Sequence, residues 1–141
     1  MCIRDRNSTI TGGYKNEVGT ETFSSPYSVV SGGTYNKIQK GSSSGILAGS
    51  GNLLFSSTGQ IYDSVILGGF DNKMRGNRSG IIGGNDHEIK ELSLNNIIAG
   101  GAQHEISGSE SGILAGQNNL IQVHPNTPLS LIHISEPTRP Y

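Results

Sequence analysis

Two histidines are the first residues in this sequence whose chemistry and spacing suggest a site. His87 and His104 occupy the same position in consecutive copies of a repeat. They are therefore expected to stack about 4.8 Å apart, where two imidazoles could bind a metal. The nearby acids Glu88 and Glu105 are predicted to face outward, which leaves the ligand set incomplete. The pattern favours substitution within a structural ladder, and we predict no metal site.

The other reactive side chains form no catalytic or binding motif. Asp71 and Asp86 follow pairs of glycines, but the third glycine of calcium-binding nonapeptides is missing, and there is no phosphate-binding loop. The local sets Asp63-Ser64 and 86–88 would need a triad geometry that local spacing does not supply. We predict that the chain is not an enzyme and has neither a catalytic residue nor a cofactor.

A repeat accounts for most of the chain. The pattern Ser-x-Ile-x-Gly-Gly-x-x-Asn-x-Ile occurs seven times, at spacings of 15 to 20 residues. Its copies begin at Ser8, Ser28, Ser44, Ser64, Ser79, Asn96 and Ser111. Self-similarity of this kind is typical of a solenoid, in which stacked units share one continuous core.

Three positions of the repeat are nearly constant. The second glycine position, predicted to form tight corners with positive φ, contains Gly13, Gly33, Gly49, Gly69, Gly84, Gly101 and Gly116. The β-branched position, predicted to form the structural core, contains Ile10, Val30, Ile46, Ile66, Ile81, Ile98 and Ile113. The late apolar position contains Val18, Ile38, Leu54, Met74, Ile89, Ile106 and Ile121. Both apolar positions are predicted to point into the coil.

The two apolar runs of each unit are too short for an amphipathic helix. The predicted fold class is all-β: a parallel β-solenoid with two short strands per coil and about seven coils, stacked about 4.8 Å apart. Differences in length between units are predicted to form side loops, for example at residues 20–27 and 55–63.

The outward faces of the two predicted strands differ. On the second strand the outward position is mostly charged, as in Glu17 and Lys37. The outward positions of the first strand are apolar and predict an interface with other subunits. This predicted trimer interface consists of Val29, Leu47, Val65, Leu67, Ile82, Ile97 and Leu114. Gly45, Gly80 and Gly112 lie beside these large residues and leave room for a neighbour's side chain.

An asparagine follows the glycine pair in five of the units. These residues are Asn16, Asn36, Asn52, Asn72 and Asn119. We predict a ladder of stacked amides that satisfy one another's donors and acceptors. Asparagine also tolerates the left-handed conformation that a turn can require.

Residues 28–33 (Ser-Val-Val-Ser-Gly-Gly) and 64–69 (Ser-Val-Ile-Leu-Gly-Gly) carry a resemblance that extends over all seven units. They resemble the SVAIG-type repeats of YadA-like head domains in trimeric autotransporter adhesins, and similar repeats occur in bacteriophage tail fibres. The resemblance implies a left-handed β-roll and a homotrimer packed through the apolar strands. It also implies a non-catalytic head or stalk segment on the bacterial cell surface that attaches to a surface protein or glycan. The alternative is a receptor-binding or structural segment of a phage tail fibre, in the virion.

The two ends of the chain carry a different signal. Residues 1–6 and 129–133 can be encoded by opposite strands of one DNA stretch, which resembles a transposase adapter used to prepare sequencing libraries. We therefore expect residues 1–6 and 129–141 to be adapter artefacts and residues 7–128 to be a β-roll segment of a longer protein. That segment has no cysteine, and its seven basic and nine acidic residues form no basic stripe for nucleic acid. Membrane attachment is expected only through an anchor outside the segment.

Overall fold

The computed structural model describes residues 2–3, 7–19 and 25–122. These residues form strands and turns, and none of them belongs to a helix that could cross a membrane. The predicted side loop at residues 20–27 lies partly outside the described residues, as do residues 123–141, which include the second expected adapter artefact. The all-β, parallel β-solenoid prediction is confirmed, with about six turns in the described part of the chain.

The first strand of every repeat joins one parallel sheet. In chain order its strands are β2 (Thr9–Ile10), β4 (Val29–Val30), β7 (Gly45–Ile46), β10 (Val65–Ile66), β12 (Gly80–Ile81), β14 (Ile97–Ile98) and β16 (Gly112–Ile113). Equivalent repeat positions are neighbours, so that Val65 pairs with Gly45 on one side and with Gly80 on the other. The register follows from the repeat because a slip of one residue would turn every core side chain outward.

The second strands form the opposite sheet. They are β3 (Glu17–Val18), β5 (Lys37–Gln39), β8 (Leu53–Phe55), β11 (Lys73–Met74), β13 (Glu88–Ile89), β15 (Glu105–Ile106) and β17 (Leu120–Ile121). One more strand, β1 (Cys2–Ile3), pairs in parallel with β3 at the end of this sheet. Sequence reasoning left residues 1–6 out of the fold. An open strand edge presents unpaired backbone groups to any extended segment that reaches it, so this pairing carries no information about the origin of those residues.

The loops between units do not simply project as predicted, because parts of them stack as a third side of the coil. Strands β6 (Gly41–Ser42) and β9 (Ile61–Tyr62) pair in parallel, and Asn77 forms a parallel bridge with Leu94. Ile61 is buried there and joins the hydrophobic core. Most coils thus gain backbone hydrogen bonds on a third side, such as that from the Asp63 N–H to the Ser42 carbonyl at 3.1 Å.

The core is a column of side chains that runs through the stack. The seven β-branched residues of the first strands and the seven late apolar residues of the second strands are all buried. Most of them are completely inaccessible, and only the end residues Ile10 and Ile121 keep about a twentieth of their surface, at 5% and 4%. Each coil therefore buries its apolar residues against the coils above and below it, as expected for a solenoid.

Candidate functional site

The corner glycines have the backbone conformation that the repeat predicts. All seven have positive φ, from 82° at Gly33 to 108° at Gly116. A Cβ on Gly33 would also collide with the carbonyl oxygen of Gly49 in the next coil and with the side-chain amide of Asn36. The second glycine position is therefore fixed by both conformation and close packing between coils.

The asparagine ladder bonds to the backbone rather than to itself, so the predicted amide-to-amide pairing is wrong. The Oδ1 of Asn36 accepts the N–H of Asn52 in the next coil at 3.1 Å. The Asn36 Nδ2 donates to the carbonyls of Gly32 and Gly49 at 2.9 and 3.0 Å. Because one amide satisfies three backbone groups at a buried corner, the ladder holds the corner of one coil to the next. None of the five asparagines has positive φ.

His87 and His104 take the place of asparagine in this ladder. Their rings are parallel within 3°, with centroids 4.8 Å apart. The Nδ1 of His87 accepts the N–H of His104 at 3.1 Å, and the Nδ1 of His104 accepts the N–H of Asn119 at the same distance. Each Nδ1 must be unprotonated to accept, so both rings are neutral with the proton on Nε2. Both Nε2 atoms are buried without a hydrogen bond of good geometry.

This environment opposes a positive charge on either imidazole. Burial, followed by the neighbouring His104, lowers the pKa of His87 from 6.5 to about 4, although Asp86 acts in the opposite direction. Burial also lowers the pKa of His104. Within the described residues, no group of three or more His, Cys, Asp and Glu side chains is arranged to hold a metal ion. The histidine pair is a structural substitute for two amides.

A second ladder was missed by sequence reasoning. The hydroxyl of each repeat's serine accepts the backbone N–H of the corresponding residue in the next coil, as from Ser64 to Ser44 at 3.3 Å and from Ser79 to Ser64 at 3.3 Å. Asn96, which replaces serine in one unit, continues the ladder by accepting the N–H of Ser111 at 2.9 Å. The constant serine was the available signal, since a buried polar side chain at a fixed position needs a fixed partner.

The non-glycine residues that have positive φ, in the left-handed region, were also not predicted from the sequence. Apart from Lys40 and Leu92, they form two columns, one just before the asparagine position and one just before the serine. The first column contains Lys15, Tyr35, Asp71, Asp86, Gln103 and Asn118, and the second contains Asn7, Tyr27, Ser43, Asp63, Arg78, Asn95 and Glu110. Side chains at these corners are fixed to a rigid backbone although they lie in turns.

The predicted interface residues form a continuous exposed face on the sheet of first strands. Six of the seven are exposed, from 37% for Val29 to 56% for Leu114, and Val65 is partly exposed. The face has two outward positions per coil, which flank the core residue. The leading positions are Thr9, Val29, Gly45, Val65, Gly80, Ile97 and Gly112, and the trailing positions are Thr11, Ser31, Leu47, Leu67, Ile82, Ala99 and Leu114.

Large and small residues alternate across this apolar face. Along the leading positions of six consecutive paired strands, a β-branched residue is followed each time by glycine. Within a coil, glycine at the leading position is accompanied by Leu or Ile at the trailing position, as in Gly45 with Leu47. Val29 and Ile97 are accompanied instead by the small Ser31 and Ala99, whereas Val65 is accompanied by the large Leu67. Apart from the coil of Val65 and Leu67, the face is a set of knobs and hollows.

The outward face of the second strands is mostly charged, apart from Leu53 and Leu120, and most of its charges are paired within the chain. Lys37 bonds to Glu17 of the preceding coil at 2.9 Å. Lys90 reaches both Glu88 and Glu105, at 3.1 and 3.3 Å, and Arg75 reaches Glu88 at 3.5 Å. Except for the pair of Lys90 and Glu88, which lies within one coil, these ion pairs join neighbouring coils along the stack, which is the arrangement of a solvated face.

The described fold and its ladders define the class of this protein as a parallel β-solenoid repeat protein. Compared with known proteins, the chain matches no family model, no curated protein and no solved structure. The fold is compatible with those of repeat adhesins and tail fibres, and the particular likeness to YadA-like heads rests on the repeat pattern alone.

Proposed function

We propose that this chain is a non-catalytic segment of an extracellular homotrimeric fibre that attaches a bacterium to a surface protein or glycan. The observation that carries the proposal is the apolar face of the first strands, which contrasts with the paired charges of the second strands. An exposed apolar face that continues over six strands of a sheet needs a partner, because isolated apolar residues are ordinary but an ordered stripe is not.

The size pattern of the face supports a second copy of the chain as that partner. Where copies pack in register around an axis parallel to the rod, the leading edge of one meets the trailing edge of the next at the same level. Leu47 of one copy would then meet the hollow at Gly45 of another. Ile97 would likewise meet the small Ala99. Only the level of Val65 and Leu67 pairs two large residues. At the other levels from Val29 onward the complementarity requires no stagger between copies, and the number of three follows from the resemblance to trimeric adhesins.

The hollows at Gly45 and Gly80 have no cause within the chain. Neither glycine has positive φ, so the backbone accepts a side chain there. A Cβ on Gly45 would come no closer than 3.7 Å to any neighbour, and one on Gly80 no closer than 3.9 Å, both ordinary contacts. The equivalent positions of adjacent strands hold Val29 and Val65. The chain could fill this space with a side chain and does not. The open space therefore supports the entry of a side chain from another copy.

The rod geometry supports attachment rather than catalysis. Corners and ladders fix every coil to the next, so loops and corner side chains are presented at regular intervals along a stiff scaffold. Three copies in register would present each of them three times, and repeated weak contacts gain strength through avidity.

The test is to fill the hollows. The double variant Gly45→Val and Gly80→Val is expected to keep the fold, since valine suits a strand and its Cβ has room at both positions, while it blocks the entry of a neighbour's knob. Native mass spectrometry of the full chain should show a trimer for the unchanged protein and monomers for the variant, with the same circular dichroism spectrum. A matched control, Thr9→Val, adds valine at a leading position without a hollow and should remain trimeric. A trimer that survives both filled hollows would contradict the proposed interface.

A further inference from the structure

A cleft on the third side of the coil has the features of a ligand site. It has a volume of about 330 Å³ and is lined by Tyr62, Asp63, Asn77, Arg78 and Leu94. These residues come from three consecutive coils and are brought together only by stacking. The volume is close to the lower bound of about 300 Å³ for small-molecule sites, and a shallow open cleft of this size suits a small polar ligand.

The charged groups of the cleft are uncommitted. Asp63 and Arg78 occupy the same corner column in adjacent coils. No ion pair within 4 Å joins them or connects either to another side chain among the described residues, whereas the charges of the second strands are paired. Both side chains are exposed. The cleft therefore offers the Asp63 carboxylate as a hydrogen-bond acceptor and the Arg78 guanidinium as a donor of several hydrogen bonds, and the two charges sum to zero.

The backbone of the cleft is held by hydrogen bonds, so the positions from which these side chains extend are set before a ligand binds. The Asp63 N–H donates to the Ser42 carbonyl at 3.1 Å, and the Arg78 N–H donates to the Tyr62 carbonyl at 2.9 Å. The Oδ1 of Asn77 accepts the Tyr62 N–H at 2.9 Å. That bond orients the Asn77 amide and leaves its Nδ2 as a second donor. Ordering of the site before binding lowers the entropy cost of taking up a ligand.

An aromatic ring completes the set. The Tyr62 side chain is about half exposed, and its hydroxyl donates to Gln60 at 3.0 Å, which orients the ring. Leu94 adds an apolar contact at the other end of the cleft. A flat apolar surface next to separate donors and an acceptor, with no net charge, matches a pyranose. Such a sugar has an apolar C–H face and hydroxyls that both donate and accept.

We propose that this cleft binds a neutral hexopyranose unit of a surface glycan. In the bound state Tyr62 contacts the apolar face of the sugar, Asp63 accepts from its hydroxyls, and Arg78 and Asn77 donate to its oxygens. This inference rests on the proposed attachment function and identifies the ligand class and the residues that would bind it. Each single cleft would bind weakly, and repetition of the cleft in an oligomer would raise the overall affinity.

Saturation-transfer difference NMR on the full chain tests the site. The probes are methyl glycosides of glucose, galactose and mannose, with glucuronate as a charged comparator. At least one neutral glycoside should give signal, and Asp63→Asn should weaken its binding about tenfold through the loss of a charge-assisted hydrogen bond. Asp71→Asn is the matched control, because Asp71 is also exposed and left-handed but lies in the other corner column.

A second pair of variants distinguishes a role of the Tyr62 ring in sugar binding from a general effect of removing an exposed tyrosine from the stack. Tyr62→Ala should reduce the signal strongly, whereas Tyr14→Ala, at another exposed tyrosine of the stack, should not. The sugar site is wrong if no neutral glycoside binds, if glucuronate alone binds, or if Asp63→Asn and Asp71→Asn reduce binding equally. The oligomeric state is measured on the same samples. Loss of sugar binding in an intact trimer would overturn only this inference, and binding by a monomer would overturn only the proposed trimer.

Discussion

The two strands of each coil share one core but present opposite outward faces. The second strands carry Glu17, Lys37, Glu88 and Glu105, whose charges are paired between coils within one chain. The first strands carry large apolar residues next to glycines, of which Gly45 and Gly80 leave room for a Cβ, whereas a Cβ on Gly112 would lie 3.1 Å from the Ile97 side chain. The comparison teaches that the charges of one face are largely paired within a single copy, whereas the apolar residues of the other face would be covered only by the proposed association.

The largest expected effect comes from the core that both faces share. Ile66→Asp should unfold the stack, because a carboxylate would be buried without a partner at a completely inaccessible position. The expected loss is several kcal/mol, about 4 or more. Leu53→Asp is the control, since Leu53 lies between Lys37 and Lys73 on the charged face. Circular dichroism and urea unfolding should show a folded Leu53→Asp and an unfolded Ile66→Asp. A folded Ile66→Asp with native stability would disprove the shared core.

The next effect distinguishes the two faces directly. Leu67→Lys with Leu114→Lys on the apolar face should abolish the oligomer but keep the coils, because both side chains point outward. On the other face, Leu53→Glu with Leu120→Lys places each new charge beside an opposite one and should leave the oligomer unchanged. Sedimentation velocity measures both. If the two double variants dissociate equally, the faces are not functionally different.

A third prediction concerns the histidine section of the asparagine ladder. His87 and His104 are neutral in the fold, and their pKa values lie below the ordinary value, about 4 for His87. The contribution of these histidines to the free energy of unfolding is therefore fully present above pH 6.5. It is lost as the pH falls from there through about 4, because the histidines of the unfolded chain take up protons first. For His87 alone the loss is on the order of 3 kcal/mol. Asparagine at both positions restores the amide of the other coils.

The measurement for this prediction is urea unfolding between pH 4 and pH 8. The double variant His87→Asn with His104→Asn should lose less stability than the unchanged chain over this range. Carboxylates elsewhere contribute to both proteins equally, so the difference between the two curves reports the histidines. Identical pH curves would contradict a neutral, buried histidine pair.

The smallest effect is expected on the charged face. Lys90→Gln removes the contacts to Glu88 and Glu105, whose geometry also raises the pKa of Lys90. Exposed pairs of this kind contribute less than about 1 kcal/mol, and salt screens them. Urea unfolding at low and high salt should give a small difference that disappears in high salt. A loss of several kcal/mol would mean that the charged face, too, is essential to the stack.

The inward and outward orientation of the strand residues followed from the repeat, because the periodicity of the sequence determines it. Positions that recur with constant glycine or β-branched residues must be equivalent, and in a solenoid equivalent positions stack, so Ile66 was predictably inside and Leu67 outside. The third side of the coil was not predictable, since the loops around Ser42 and Tyr62 share no common sequence. Their pairing arises from the backbone groups that the neighbouring coil leaves open.

The glycine pairs, the β-branched positions and the alternation by themselves determined a parallel all-β stack, because only one register buries every core residue. Tertiary structure alone decided that the asparagine amides bond to backbone carbonyls and that two histidines are held neutral, since both depend on which groups of the next coil face them. It also decided that Tyr62, Asp63 and Arg78 share a cleft. Their approach depends on where loops of unequal length return to the stack, and that distance is not encoded in any local pattern.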